Sequence, residues 1–159
     1  MNQSREYRIR FINEKVVKKG HLFLIKHIDA SDVLRKGFAT FDDPTSDEHS
    51  GPVRTLLAFT NEDHCGRYIE SELNGYGSIY RVDLNKAGIF KLSKMMINSQ
   101  IEFFTFDRET DSKGASCTFV RLKLLLDVLF VSIKGIDSIE AYVPKNGKII
   151  DVTGKLRNN

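Results

Sequence analysis

The longest apolar stretch of the chain, Phe119–Ile133, sets the first limit on its fold. Arg121, Lys123 and Asp127 interrupt it, so it falls short of the ~20 apolar residues that a membrane span needs. Read as a helix over Thr118–Lys134, it is apolar around most of its circumference, with Lys123, Asp127 and Lys134 as a narrow polar stripe. A helix of that kind is buried, and Gly135 supplies its stop. The chain has 159 residues, which suits a single domain over 1–159. A domain of this size buries roughly 68–70% of its unfolded surface and needs no disulfide or metal to fold.

Composition narrows the class without naming a function. Hydrophobic residues at 41% and charged residues at 28% exclude global disorder. The net charge of +3 is too mild to indicate nucleic-acid or membrane binding. The charge is uneven, however. Residues 1–36 hold nine Lys/Arg against four Asp/Glu, residues 37–75 two against eight, and residues 76–159 thirteen against nine. An acidic middle third therefore lies between basic flanks, as a solvated face or as a surface that orients a charged partner. Cys65 and Cys117 form no CxxC pair and suit a reduced, cytoplasmic protein. The opening MNQSREYRIRF lacks the apolar core of a signal peptide, so delivery into another cell would use a route without a classical signal.

Short strand and helix signals alternate along the chain. Tyr7–Ile12 begins with a two-residue alternation that predicts a half-exposed strand, and Asn13–Gly20 reads as a turn. His21–Ile25 is a short apolar run, read as a buried strand. Asp29 and Asp32 start a two-turn helix that Gly37 ends. Phe41–Pro52 is rich in turn formers and acids and predicts a mobile loop. Val53–Phe59 is strand-like. Asn61 caps a helix whose Cys65, Tyr68, Ile69 and Leu73 share a face, and Asn74-Gly75 closes it. Ser78–Leu84 alternates, with Tyr80, Val82 and Leu84 on one face. Ala87–Leu92 suggests a short strand, IEFFTF another, and DRETDSKGAS a loop. Ile139–Val143 and Lys148–Val152 read as strands joined by a turn at Pro144–Gly147.

No phosphate-binding loop, dinucleotide fingerprint, zinc-protease or serine-hydrolase motif is present. His21, His27, His49 and His64 fall 6, 22 and 15 residues apart, which matches no common zinc spacing, so no metal is expected.

The order of elements is the informative feature. His21–Gly37 gives strand, short helix and glycine; Leu57–Tyr68 followed by Ser78–Leu84 gives a strand with terminal Thr60, a helix, and a further strand; Leu122–Glu140 gives helix, glycine and a strand bearing an acid. In this order the chain resembles the ADP-ribosyltransferase-like domains of bacterial toxins, effectors and phage proteins, with a core at about 21–152. The resemblance implies an α+β fold, a split pair of small antiparallel sheets with flanking helices. It implies NAD as substrate, bound between the sheets, and a macromolecular target, protein rather than nucleic acid by preference. A carboxylate would steady the cation formed as the glycosidic bond breaks. Glu140 fits that role, with Asp137 and Asp151 as alternatives. His21, His27, Thr60, Tyr68 and Tyr80 are the candidate NAD-binding residues.

Two positions depart from the family pattern. The ribose-binding His or Arg falls near Leu24, which has no hydrogen-bonding side chain, leaving His21, Lys26 or His27 to substitute. Some members carry the catalytic Glu near Gly147-Lys148, where this chain has lysine. Two alternatives therefore stand beside the enzyme. One is a catalytically silent module of the same shape, an inhibitor or immunity-type protein with a protein partner at the acidic 42–48 loop. The other is a small RNA-cleaving toxin using His21 or His27 in acid–base work.

Overall fold

The computed structural model describes residues 3–27, 37–43 and 53–132, together with the backbone of four short strands between 138 and 155. The chain opens in a helix, α1 (Arg5–Phe11), which runs into a π-helical stretch, Ile12–Val17. This corrects the strand expected at Tyr7–Ile12 and narrows the turn expected at Asn13–Gly20 to Lys18–Gly20. The Ser4 hydroxyl accepts the Tyr7 N–H at 3.0 Å, Glu6 stands in the first turn, and Arg8 and Arg10 stand in the last. These helix-end effects, with Ile9, Ile12 and Val16 sharing a face on the core, outweigh a short alternation.

Strand β1 (His21–Lys26) pairs antiparallel with β4 (Ser78–Asp83), setting Leu22 opposite Val82 and Leu24 opposite Tyr80. A second sheet holds β2 (Thr40–Asp43), β3 (Val53–Ala58), β5 (Phe103–Asp111) and β6 (Gly114–Arg121), in the order β2-β3-β5-β6. The α+β class with two small sheets is therefore present. The larger sheet is mixed rather than wholly antiparallel, because β3 and β5 run parallel. Between them the chain passes through α2 (Glu62–Glu72), β4 and α3 (Lys86–Asn98), which lets it re-enter the sheet in the same direction. The sheets are stitched together along β1. Phe23 and Phe59 exchange both backbone hydrogen bonds at 2.9 and 2.8 Å, and the Ala39 N–H donates to the Ile25 carbonyl at 2.7 Å.

Alternation along β1 divides the interior. Leu22 and Leu24 face a large core with Val82, Ile89, Leu92, Phe104 and Phe106. Phe23 and Ile25 face a smaller one with Leu57, Phe59, Cys65 and Ile69 beneath α2. The final helix, α4, spans Leu122–Ser132, and the four residues before it are strand. Thr118–Arg121 pair with Phe103–Phe106, and Phe119 stacks on Phe103 at 4.6 Å, an aromatic cross-strand pair that a helix would forfeit. The IEFFTF strand is present as the start of β5, but DRETDSKGAS is hairpin rather than loop. The expected strand at Ala87–Leu92 lies inside α3, whose cap is Asn85, accepting the Gly88 N–H at 2.8 Å.

Phe41–Asp43 of the expected loop belong to β2; 44–52 and the expected helix at 29–36 lie outside the described residues. Near the C-terminus, β8 (Tyr142–Lys145) pairs antiparallel with β9 (Lys148–Asp151); a strand pair was expected here, but Pro144 and Lys145 of the expected turn are strand, and Ile139 of the expected first strand lies in β7 (Ser138–Ile139), which pairs with β10 (Gly154–Lys155). Both β7 and β8 lie against α3. Among the described residues no helix is long and apolar enough to cross a membrane.

Candidate functional site

A polar cluster forms where β3 ends and α2 begins. Phe59 is fully buried, and Thr60 is 4% exposed. The Asn61 side chain accepts the His64 N–H at 3.1 Å and starts α2 at once. This places His64 and Tyr68 one turn apart, and both rings pack on Phe59 with centroids 5.3 Å away.

The partner of Thr60 comes from a β-bulge. Between Phe106 and Glu109, β5 has one residue more than β6, and Asp107 takes a left-handed backbone, φ +53°. Asp tolerates that conformation better than most residues. The bulge turns its carboxylate toward Thr60, accepting the backbone N–H at 2.8 Å and the hydroxyl at 2.7 Å. Lys19 donates to the Thr60 carbonyl at 3.1 Å. Every polar group of Thr60 is thereby held.

The next residue, Arg108, lies over the Phe41 ring at 4.0 Å and hydrogen-bonds Tyr68. Burial pushes the Tyr68 phenol up from its ordinary range; the charge and hydrogen bond of Arg108 pull the other way, and Glu72 adds a smaller push. His64 Nε2 lies 3.0 Å from the Arg108 carbonyl, which only accepts, so this nitrogen carries the proton. His64 Nδ1 then faces Asp107 Oδ1 at 4.0 Å. Beside the cluster a groove of about 780 Å³ runs between α2 and the end of β5, where Tyr68, Arg67 and Arg108 share the lining with three carboxylates, Glu70, Glu72 and Glu109. An aromatic ring beside a guanidinium at this groove suits a planar ring with hydrogen-bond acceptors, and Thr60 supports the groove from within without lining it.

The structure sorts the residues singled out from sequence. Thr60 and Tyr68 come together through Phe59, Asp107 and Arg108. His21 lies on the same side of β1, its ring 5.1 Å from Phe23. His27 follows the far end of β1, four residues beyond Phe23, a span of roughly 13 Å. Tyr80 is on the opposite face, beside Leu24, in edge contact with Phe38 at 5.1 Å. Leu24 is fully buried in the larger core. Glu140 and Asp137 lie outside the described residues, and Asp151 and Lys148 are placed in β9 by backbone alone.

Asp107, Arg108 and Lys19 were not anticipated. The only sequence signal was an acid and a base directly after the apolar IEFFTF run. Among the described residues no three metal-ligating side chains converge. Comparison with protein-family models, curated proteins and solved structures finds no match for this chain.

Proposed function

We propose that the chain is an ADP-ribosyltransferase-like domain that uses NAD to modify a macromolecular target, as a toxin or effector does. The observation that carries this reading is the cluster in which Thr60 and Tyr68, both singled out from the Leu57–Tyr68 passage, are joined through Phe59 and Asp107 to Arg108. In this reading Tyr68 stacks on the nicotinamide ring and Arg108 pairs with the diphosphate. Thr60, bonded to Asp107 and Lys19, fixes the bulge that carries Arg108. Glu140 is assigned the carboxylate that steadies the developing cation. The test is incubation with adenine-labelled NAD and a cell extract. Label should move onto protein, and Glu140→Gln with intact folding should abolish the transfer; unchanged transfer in that variant rejects the assignment.

A second reading is favoured by one observation. Leu24, at the place of the family's ribose-binding residue, is fully buried in apolar surroundings. A catalytically silent binding module of the same build would look like this at β1. It predicts a tight protein partner and no NAD turnover in the same incubation.

A further inference from the structure

On the face of the β1–β4 sheet away from Thr60, two cavities run end to end along α3. The first, about 390 Å³, has a floor of Leu24, Phe38, Leu92 and Met95, with Tyr80 and Asn85 also lining it. The second, about 420 Å³, is formed by Phe38, Leu56, Phe90, Met95 and Ile101. Phe38, Lys91 and Met95 line both, so the two are one trough with these residues at its waist. Each half has the size and the mainly apolar walls of a small-molecule site.

The trough is preformed. A Cβ on Gly88 would stand 1.7 Å from the Asp83 carbonyl oxygen, so the first turn of α3 is seated directly on the end of β4. Tyr80 is held against Phe38 at 71° between rings, yet it remains 39% exposed and its ring is open to a ligand. Among the described residues the charged lining is Arg81, Lys91 and Lys94 against Asp83, and Arg81 and Asp83 pair with each other at 2.8 Å. Lys94 lies over the Phe90 ring at 5.5 Å. Among the described residues the cation common to both halves is Lys91. Apolar walls, a half-open aromatic ring and a net positive lining together define the ligand.

We propose that this trough binds a small amphipathic anion, with a flat aromatic group against Tyr80 and Phe38 and a carboxylate, sulfonate or phosphate at Lys91. The site is separate from the Thr60 cluster and does not rest on the NAD reading. The probe is 1-anilinonaphthalene-8-sulfonate, compared by fluorescence titration with N-phenyl-1-naphthylamine, which has the same rings and no charge. One sulfonate probe should bind per chain, and Tyr80→Ala should weaken it. Lys91→Gln should reduce the preference for the charged probe by about fivefold, the size of an exposed ion pair. Tyr76→Ala, at an exposed tyrosine outside the trough, should change neither titration. Absence of saturable binding overturns the proposal, and so does a Lys91→Gln protein, folded by circular dichroism, that keeps the full preference for the charged probe.

Discussion

Asp107 decides the geometry of the Thr60 cluster, and its two demands can be separated by substitution. Its backbone must be left-handed, and its carboxylate must accept two donors from Thr60. Asp107→Ala removes the acceptor while keeping a Cβ in a strained conformation, and should lower stability by about 2–4 kcal/mol. Asp107→Asn tolerates the conformation and keeps one acceptor oxygen, so it should cost about half as much or less. Urea unfolding of the two variants checks the order; equal losses would show that the carboxylate contributes little. Cys65 makes a pH prediction. Burial, then Glu62, then Asp107 push its thiol up from the ordinary 9.0 to about 12. The folded chain therefore holds this proton where the unfolded chain releases it. The stabilising contribution is whole below about pH 9 and is lost as pH rises toward about 12. Melting temperatures across that range should fall less steeply for Cys65→Ala than for the parent, and parallel curves would contradict the assignment.

Two glycines show how far element-level rules carry. Gly66 lies inside α2, and a Cβ there would meet only Ile79 Cδ1, at 3.9 Å. Gly66→Ala should follow helix propensity and stabilise by about 0.5–1 kcal/mol. Gly88 is also helical, but its Cβ would collide with the Asp83 carbonyl, so Gly88→Ala should destabilise by about 1–3 kcal/mol. Thermal melting of both variants tests the contrast, and a stabilised Gly88→Ala would show that α3 is not seated on β4. The same glycine explains why α3 was illegible in the sequence: Gly88 weakens a helical pattern whose reason for it is a tertiary contact. The elements that read correctly, β1, β3, β4 and α2, carry their own local signals, above all the Asn61 cap and the Cys65–Ile69 face. Those that did not were settled by distant partners. Tyr7–Ile12 alternates but is capped by Ser4, and Thr118–Arg121 looks helical but pairs with Phe103–Phe106. Thr60 and Tyr68 were legible because strand end and capped helix are adjacent in sequence. Asp107 and Arg108 reach them only through a bulge 47 residues from Thr60, and periodicity does not encode a bulge.

At the scale of the molecule, the β1–β4 sheet separates two chemically different faces. One, beneath α2, holds the Thr60 cluster; the other, against α3, holds the aromatic and cationic trough. Period-two alternation along β1 and β4 enforces this division, so Tyr68 and Tyr80 cannot serve the same ring of one ligand without rebuilding the sheet. The NAD proposal places the ring on the α2 side. A calorimetric titration of the chain with NAD, repeated with Tyr68→Ala and Tyr80→Ala, tests this directly. Saturable binding is expected that Tyr68→Ala weakens by about tenfold, the loss of roughly one stacking contact, and that Tyr80→Ala leaves unchanged. Binding that survives Tyr68→Ala but is lost in Tyr80→Ala, or no binding at all, would contradict it.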